Sequence, residues 1–369
     1  MLDTLLIFIF IRPFICSLAF PFANFIYTSL LLFFMLVWII KRGISFKDKA
    51  ALKLPLILFS LSLVLSILFS INKRVSLPES YKYACGIYLL LIISSLSLEE
   101  KAHIRRILVF TGFIIGILAI YQYFFGFRHT LGYLRKYGLL QPFTLDYLQS
   151  KRIFFPFVTP NILGGYLGII LPLTLINPNR YTLLFIFPFV QALVLTKSIS
   201  ALLSFLLGFM LYLYLQKELN KRKIISSSIS FIAFFTALLF LFFLRTTTPK
   251  QHLQPLFSLF MRLNYWKHTF KVILDYPLTG IGIGNFNLMQ SRYAHNSYLQ
   301  LWAETGIVGI ISFIWLVVAI IKSGLKSNNL YKNIFLTSIA IFLIHNLFDF
   351  SFFLPEVSII WWVILGLFL

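Results

Sequence analysis

An all-α, polytopic membrane fold is predicted by three observations. Of the 369 residues, 59% are hydrophobic and only 12% are charged, whereas a soluble domain is about half apolar and a quarter charged. Mean hydropathy is +0.89. The apolar residues fall in runs near twenty, the length a helix needs to cross a bilayer. The expected architecture is one integral-membrane domain over 1–369 with about 12 transmembrane helices and a large outer loop carrying short interfacial helices.

Taken in order, the spans fall at roughly 4–21, 23–40, 53–71, 78–97, 105–125, 161–177, 181–196, 199–216, 224–244, 301–321, 331–349 and 355–369. The first run follows Asp3 with no basic stretch before it, which reads as a retained anchor and not a cleaved signal. Cys16 and Cys85 lie inside apolar runs and read as small packing residues, without disulfide or metal spacing. The last run is short for a crossing. No internal repeat is visible, and no segment is long enough for a separate soluble domain.

The basic loops orient these spans. One side holds Lys41, Arg42, Lys47, Lys49 and Lys53, then Lys101, Arg105 and Arg106, then Arg180. It also holds Lys217, Lys221, Arg222 and Lys223, and finally Lys322, Lys326 and Lys332. Short basic loops stay in the cytoplasm, so the two long loops, 126–160 and 245–300, are expected outside. They too are basic, with Arg128, Arg135, Lys136, Lys151 and Arg152 in the first. The second has Arg245, Lys250, Arg262, Lys267, Lys271 and Arg292. In a soluble protein a net charge of +21 would point to nucleic acid. Here topology and anionic lipid account for it, and no nucleic-acid partner is expected. Positive charge on the outer loops points either to an anionic ligand or to lipid headgroups.

Within the second long loop, residues 260–274 mix apolar and basic positions at helical spacing, and Trp266, Phe270 and Ile273 share one face. This predicts a helix lying at the interface. The glycine-rich stretch Asp275–Asn285 that follows is a turn. No strand–turn–helix unit surrounds it, which excludes a dinucleotide site. Then come Ala294, His295, Asn296, Ser297, Tyr298, Leu299 and Gln300, with Glu304 and Gly306 beyond, at the mouth of a long apolar run.

Ionisable residues near the outer ends of spans are costly there and suggest function. They are Arg152, Lys197, Arg262, His295, Glu304, His345 and Asp349. Each has a plain structural alternative. Lys197 and Arg262 can reach the headgroups. His345 and Asp349, four apart, can bond to each other on one helix face. His295 can simply close a loop. On one continuous helix His295 and Glu304 would point to opposite faces about 13 Å apart along the axis, so Glu304 is not expected to orient His295. It is free to pair with a basic residue of another span. There is no Asp-x-Asp pair, no His-Glu-x-x-His and no Cys/His spacing, so no metal or other cofactor is expected. A histidine among cations beside lipid suits transfer from a lipid-linked diphosphate. Arg and Lys would stabilise the leaving diphosphate, and a neutral histidine would take a proton from the attacking hydroxyl.

Four stretches in the second half resemble the O-antigen ligase/O-antigen polymerase superfamily of bacterial inner-membrane glycosyltransferases. They are Phe157–Leu167 with its Pro160-Asn161 entry running into Leu171-Pro172; Arg262 and Trp266 with Asp275–Phe286; His295–Gln300 with Glu304–Gly309; and His345–Phe352. The resemblance implies about twelve spans and metal-independent, inverting transfer on the periplasmic face. It also implies an undecaprenyl-diphosphate-linked glycan as donor and lipid A–core or another glycan or lipid as acceptor, with membrane lipid as surroundings. On the matching motifs it implies His295 as catalytic base and Arg262, Arg152 and Lys197 as diphosphate ligands, supported by Asn296, Glu304, Asn161, His345 and Asp349. One position departs: Ile199 stands where the family often has an arginine, leaving Lys197 as the nearby cation, without a bidentate fork. Three functions remain open: a ligase moving a whole glycan, a polymerase joining repeat units, and a transporter of lipid-linked sugar. A transporter would show inverted repeats and broken spans at mid-membrane, and neither is visible.

Overall fold

A computed structural model of the protein describes residues 1–43, 50–139, 141–176, 182–216, 221–287, 291–327 and 329–369. Lys47, Lys49, Arg180 and Lys217, four of the loop cations used above, lie outside the described residues. The described chain is helical throughout. In order come α1 (Leu2–Ile11), α2 (Pro21–Arg42), α3 (Ala50–Leu68), α4 (Lys73–Ser94), α5 (Leu98–Tyr121), α6 (Phe127–Lys136) and α7 (Pro142–Gln149). After them come α8 (Pro160–Ile170), α9 (Thr182–Leu195), α10 (Ile199–Leu215), α11 (Lys221–Thr246), α12 (Pro255–Asp275), α13 (Ser297–Lys326), α14 (Lys332–His345) and α15 (Pro355–Phe368). Starts are set by local chemistry. Asn72, Thr159, Ser198 and Asn296 each cap a helix by accepting backbone N–H groups of its first turn.

Most expected spans fall on a helix; three differ. The run 4–21 breaks at Arg12–Phe14, where Pro13 withdraws an N–H and clashes with the preceding turn. The run 105–125 does not stop: α5 passes through a π-turn at Gln122–Gly126 into α6, giving one 39-residue helix, Leu98–Lys136. Part of the first long loop is thus helical. The run 331–349 ends at His345, so His345 and Asp349 are not neighbours on one helix face. α12 is a helix over the stretch expected to lie at the interface; along it Phe270 is exposed while Ile273 is buried.

Among the described residues four helices are long and apolar enough to cross a membrane: α2, α3, the continuous Leu98–Lys136 and α13. Shorter apolar helices accompany them at 160–175, 184–195, 199–215, 231–246, 332–345 and 355–368. Phe22, Phe33 and Ile40 on α2 and Phe240 and Phe243 on α11 are exposed, a surface suited to lipid and not to water. This is a multi-pass membrane protein.

The chain forms two units. The first comprises Met1–Ile104, Met261–Leu336 and Asn346–Leu369. In it α13 packs on α3, and α15 and α2 pack on α4. Gly86 lets Trp362 lie against the α4 backbone, where a Cβ would come within 2.3 Å of the indole. Arg12, fully buried, is 3.5 Å from Glu356 at the start of α15, and its guanidinium lies 4.7 Å over the Tyr27 ring. Glu356 also accepts the Ser17 N–H. Removing either partner would strand a buried charge. The second unit comprises Arg105–Phe260 and Thr337–His345, with α8 and α11 packed on α10 and α9 on α8.

Candidate active site

In the first unit the loop after α12 is tied to the N-terminal end of α13 by backbone bonds. Ile281 N–H donates to Ala303, Gly282 N–H to Glu304 and Ile307 N–H to Pro277. α13 is broken at Gly306, whose φ of 69° is left-handed. A Cβ there would sit 2.0 Å from the Leu278 carbonyl oxygen, so glycine is required. Breaking the helix frees carbonyls that the loop N–H groups then satisfy, as irregular backbone at membrane depth requires. The glycine-rich stretch therefore serves to dock the loop.

Glu304, 1% exposed, extends this brace. One carboxylate oxygen accepts the Gly284 N–H at 3.1 Å, the other the Gln300 amide at 3.0 Å. Gln300 in turn accepts the Ala294 N–H at 3.1 Å. As expected, Glu304 does not contact His295. The reason differs, because His295 precedes the helix, and the partners of Glu304 are neutral donors and not a cation from another span. Glu304 acts one step removed, by fixing the backbone just before His295.

His295 itself adopts φ 52°. Its ring stacks on Tyr265 (5.7 Å, 21°) and meets Phe350 edge-on (4.8 Å, 89°). Burial pushes its pKa down to about 4, against the pull of Asp349's charge and with a further push from Arg262. The imidazole is thus neutral at physiological pH. Its Nδ1 is buried with no hydrogen-bond partner among the described residues, and the charge of Asp349 acts on the ring. Arg262 lies three residues before Tyr265 on α12. Burial lowers its pKa and Asp349 raises it. Asn296 caps α13 through Tyr298 and Leu299 N–H. Ser297 Oγ lies 2.6 Å from Asn346 Oδ1 and 3.1 Å from the Asp349 carbonyl oxygen. Two motif stretches far apart in sequence are thereby interlocked.

The second unit gathers the other predicted cations. Arg152 donates to Asn161 Oδ1 (3.2 Å) and to the Thr196 carbonyl (3.1 Å), and Ser198 Oγ shares the same Asn161 oxygen at 2.8 Å. Lys197, at φ 50°, donates to the Ser150 carbonyl at 2.7 Å. Arg245 donates to the Lys197 and Leu253 carbonyls. The side-chain Oε1 of Gln122, in the π-turn, accepts the Phe154 and Phe155 N–H groups and holds the segment bearing Arg152. A cavity of ≈ 340 Å³ opens among Ser150, Arg152, Lys197, Arg245 and Lys250, with Asp146 at its edge. Burial lowers the Lys197 pKa, and the charges of Arg152, Lys151 and Arg245 lower it further. So concentrated a positive field favours an anion. His345, fully buried, closes α14 in this unit. Among the described residues no three His, Cys, Asp or Glu side chains gather as a metal-ligating group.

Residues 183–314 match the family model described as O-antigen ligase. Over this stretch the chain is similar to the O-antigen ligase superfamily. The matched stretch carries Lys197, Arg262, His295, Asn296 and Glu304; Arg152, Asn161, His345 and Asp349 lie outside it. No curated protein matches the chain. Sequence reasoning missed Tyr265 and Phe350 in one unit and Ser198 and Arg245 in the other; it placed Gln300 in the polar cluster without giving it a role. Gln300 had a signal, since it stands one helical turn before Glu304. Phe350 had none, because its ring reaches His295 only through the fold. Arg152 and Arg245, from other elements than Ile199, supply guanidinium groups to the cationic cavity.

Proposed function

We propose that this O-antigen ligase-like protein transfers a glycan from an undecaprenyl-diphosphate carrier to a hydroxyl of lipid A–core or a similar acceptor. The reaction takes place on the periplasmic face of the bacterial inner membrane, with 126–160 and 245–300 on that side. The observation that carries this is a desolvated, neutral His295 held between Tyr265 and Phe350, in the field of Arg262. Arg262 makes no hydrogen bond among the described residues, so its five donors remain available to a phosphate group. The acceptor oxygen forms the bond to the anomeric carbon as the carbon–oxygen bond to the diphosphate breaks. Attack comes from the side opposite the leaving group, which inverts the centre. The hydroxyl proton passes to the imidazole, and the electron pair leaves with the lipid diphosphate, whose charge Arg262 stabilises. The cluster of Arg152, Lys197 and Arg245 is a second anion-binding element suited to a diphosphate. Asn161 orients Arg152, and Asn296 and Glu304 hold the histidine segment.

A polymerase of the same superfamily is the alternative, favoured by the same base and cation. The reconstituted protein is supplied with lipid-diphosphate-linked glycan, with and without a separate acceptor, in the presence of EDTA. Transfer that requires the acceptor supports a ligase, whereas chain growth on the carrier alone supports a polymerase. Carrier-linked glycan moved across the vesicle without any bond change would replace both readings with transport.

A further inference from the structure

Beside the histidine, in the first unit, lies a second cavity of ≈ 190 Å³. At ~30 Å³ per water it has room for roughly six waters, the scale of one sugar ring. Tyr293 and Arg292 form its wall toward the active site. Tyr293 stacks on Phe350 (4.1 Å, 8°), the same ring that meets His295 edge-on. The interior is polar in a particular way. Lys82, 6% exposed, donates to Glu79 at 2.7 Å and to the Phe353 carbonyl at 3.3 Å. Arg292, exposed at the mouth, stands 3.6 Å from the other Glu79 oxygen. The side-chain Oδ1 of Asn24 is buried with no hydrogen-bond partner among the described residues. Pro21, Phe25, Pro78 and Pro355 give apolar walls.

We propose that this cavity is a subsite for an uncharged pyranose ring of the glycan acceptor. The inference rests on the glycosyl-transfer reading above. A ring hydroxyl is both donor and acceptor. It can donate to Asn24 Oδ1 and Glu79 while accepting from Lys82 and Arg292, and the C–H faces of the ring suit the aromatic and proline walls. An unpartnered acceptor in a buried polar cavity calls for a donor, which an ionised diphosphate diester cannot supply. Glu79 would repel a diphosphate and already occupies Lys82. The attacking hydroxyl must reach His295, and the Tyr293–Phe350 stack places this cavity next to it.

The test uses the full-length protein in vesicles. Asn24→Cys is folded first and then labelled with a bulky thiol reagent, so that the cavity is filled without disturbing folding; Cys16 and Cys85 are buried, and labelled wild type is the control. Saturation-transfer NMR with neutral methyl hexopyranosides reads binding directly, and transfer assays read the KM for acceptor and for donor separately. The expected result is binding to wild type that labelling abolishes, with acceptor KM raised at least ~10-fold and donor KM unchanged. Arg292→Gln, at an exposed position, should raise acceptor KM by a smaller factor. Equal sugar binding before and after labelling would overturn the subsite. So would competition by inorganic phosphate but not by neutral sugar. Sugar binding lost on labelling in a protein that transfers no glycan would keep the subsite and defeat the transfer reading instead.

Discussion

Replacing His295 with glycine separates a base from a scaffold, because the structural terms nearly cancel. His295 holds φ 52°, a left-handed conformation that costs a residue with a Cβ roughly 1–2 kcal/mol and glycine almost nothing. Against that relief stands the loss of its contacts with Tyr265 and Phe350, about 0.5–1.5 kcal/mol each by analogy with aromatic pairs. The folded protein should therefore stay within about 1–2 kcal/mol of wild type. Loss of a general base should slow transfer by about 10²–10⁴, or roughly 3–5 kcal/mol of barrier. The catalytic effect exceeds the structural one. The assay pairs thermal unfolding in detergent and membrane abundance with single-turnover release of lipid diphosphate. Near-normal unfolding with a rate within threefold of wild type would refute the reasoning and make His295 a loop residue.

Arg262→Lys keeps the charge but loses the fork, and transfer should drop at least ~10-fold at equal abundance; an unchanged rate would remove Arg262 from the site. Glu304→Gln puts an amide donor where one of two donors, Gly284 N–H or Gln300, now points, at a cost of about 1–3 kcal/mol. It should lower both stability and rate, and Gln300→Leu should do the same; full activity of either would show that the brace is dispensable. The pKa of His295 is lowered, so the ring stays neutral as pH falls through 6.5 and is protonated only toward about 4. The transfer rate should accordingly hold through 6.5 and fall toward 4, and Asp349→Asn should move that fall lower; half-loss at 6.5 would contradict the desolvated environment. Single cysteines at Ser150 and Ser258 should react with an impermeant reagent in intact spheroplasts, and reaction only after lysis would invert the topology.

The helices were largely readable because hydropathy is a property of single stretches: the runs at 23–40, 53–71 and 301–321 need no partner to be recognised. The break at Arg12 was readable in principle from Pro13. The continuation through Gln122 was not, since a π-turn leaves no hydropathy signal. Within the site, His295, Arg262 and Arg152 stood out as ionisable residues at the ends of apolar runs. The role of Glu304 was obscured because its action passes through Gln300 to the Ala294 backbone, a relation of folded geometry. Asp349 was placed on the wrong element, and Tyr265 and Phe350 were invisible because aromatic residues are ordinary in so apolar a chain.

The first unit is drawn from three separated stretches, and this has a consequence for its biogenesis. α3 and α4 emerge from the ribosome more than two hundred residues ahead of α13 and α15, the helices they pack on. At about 5–20 residues per second, the interval between Ile104 and Asn346 is roughly 10–50 s. Throughout that interval Arg12 has no Glu356, and Ser297 has neither Asn346 nor Asp349 to bond. On the proposed reading, a nascent chain lacking residues from Asn346 onward lacks Phe350 beside His295 and should transfer no glycan.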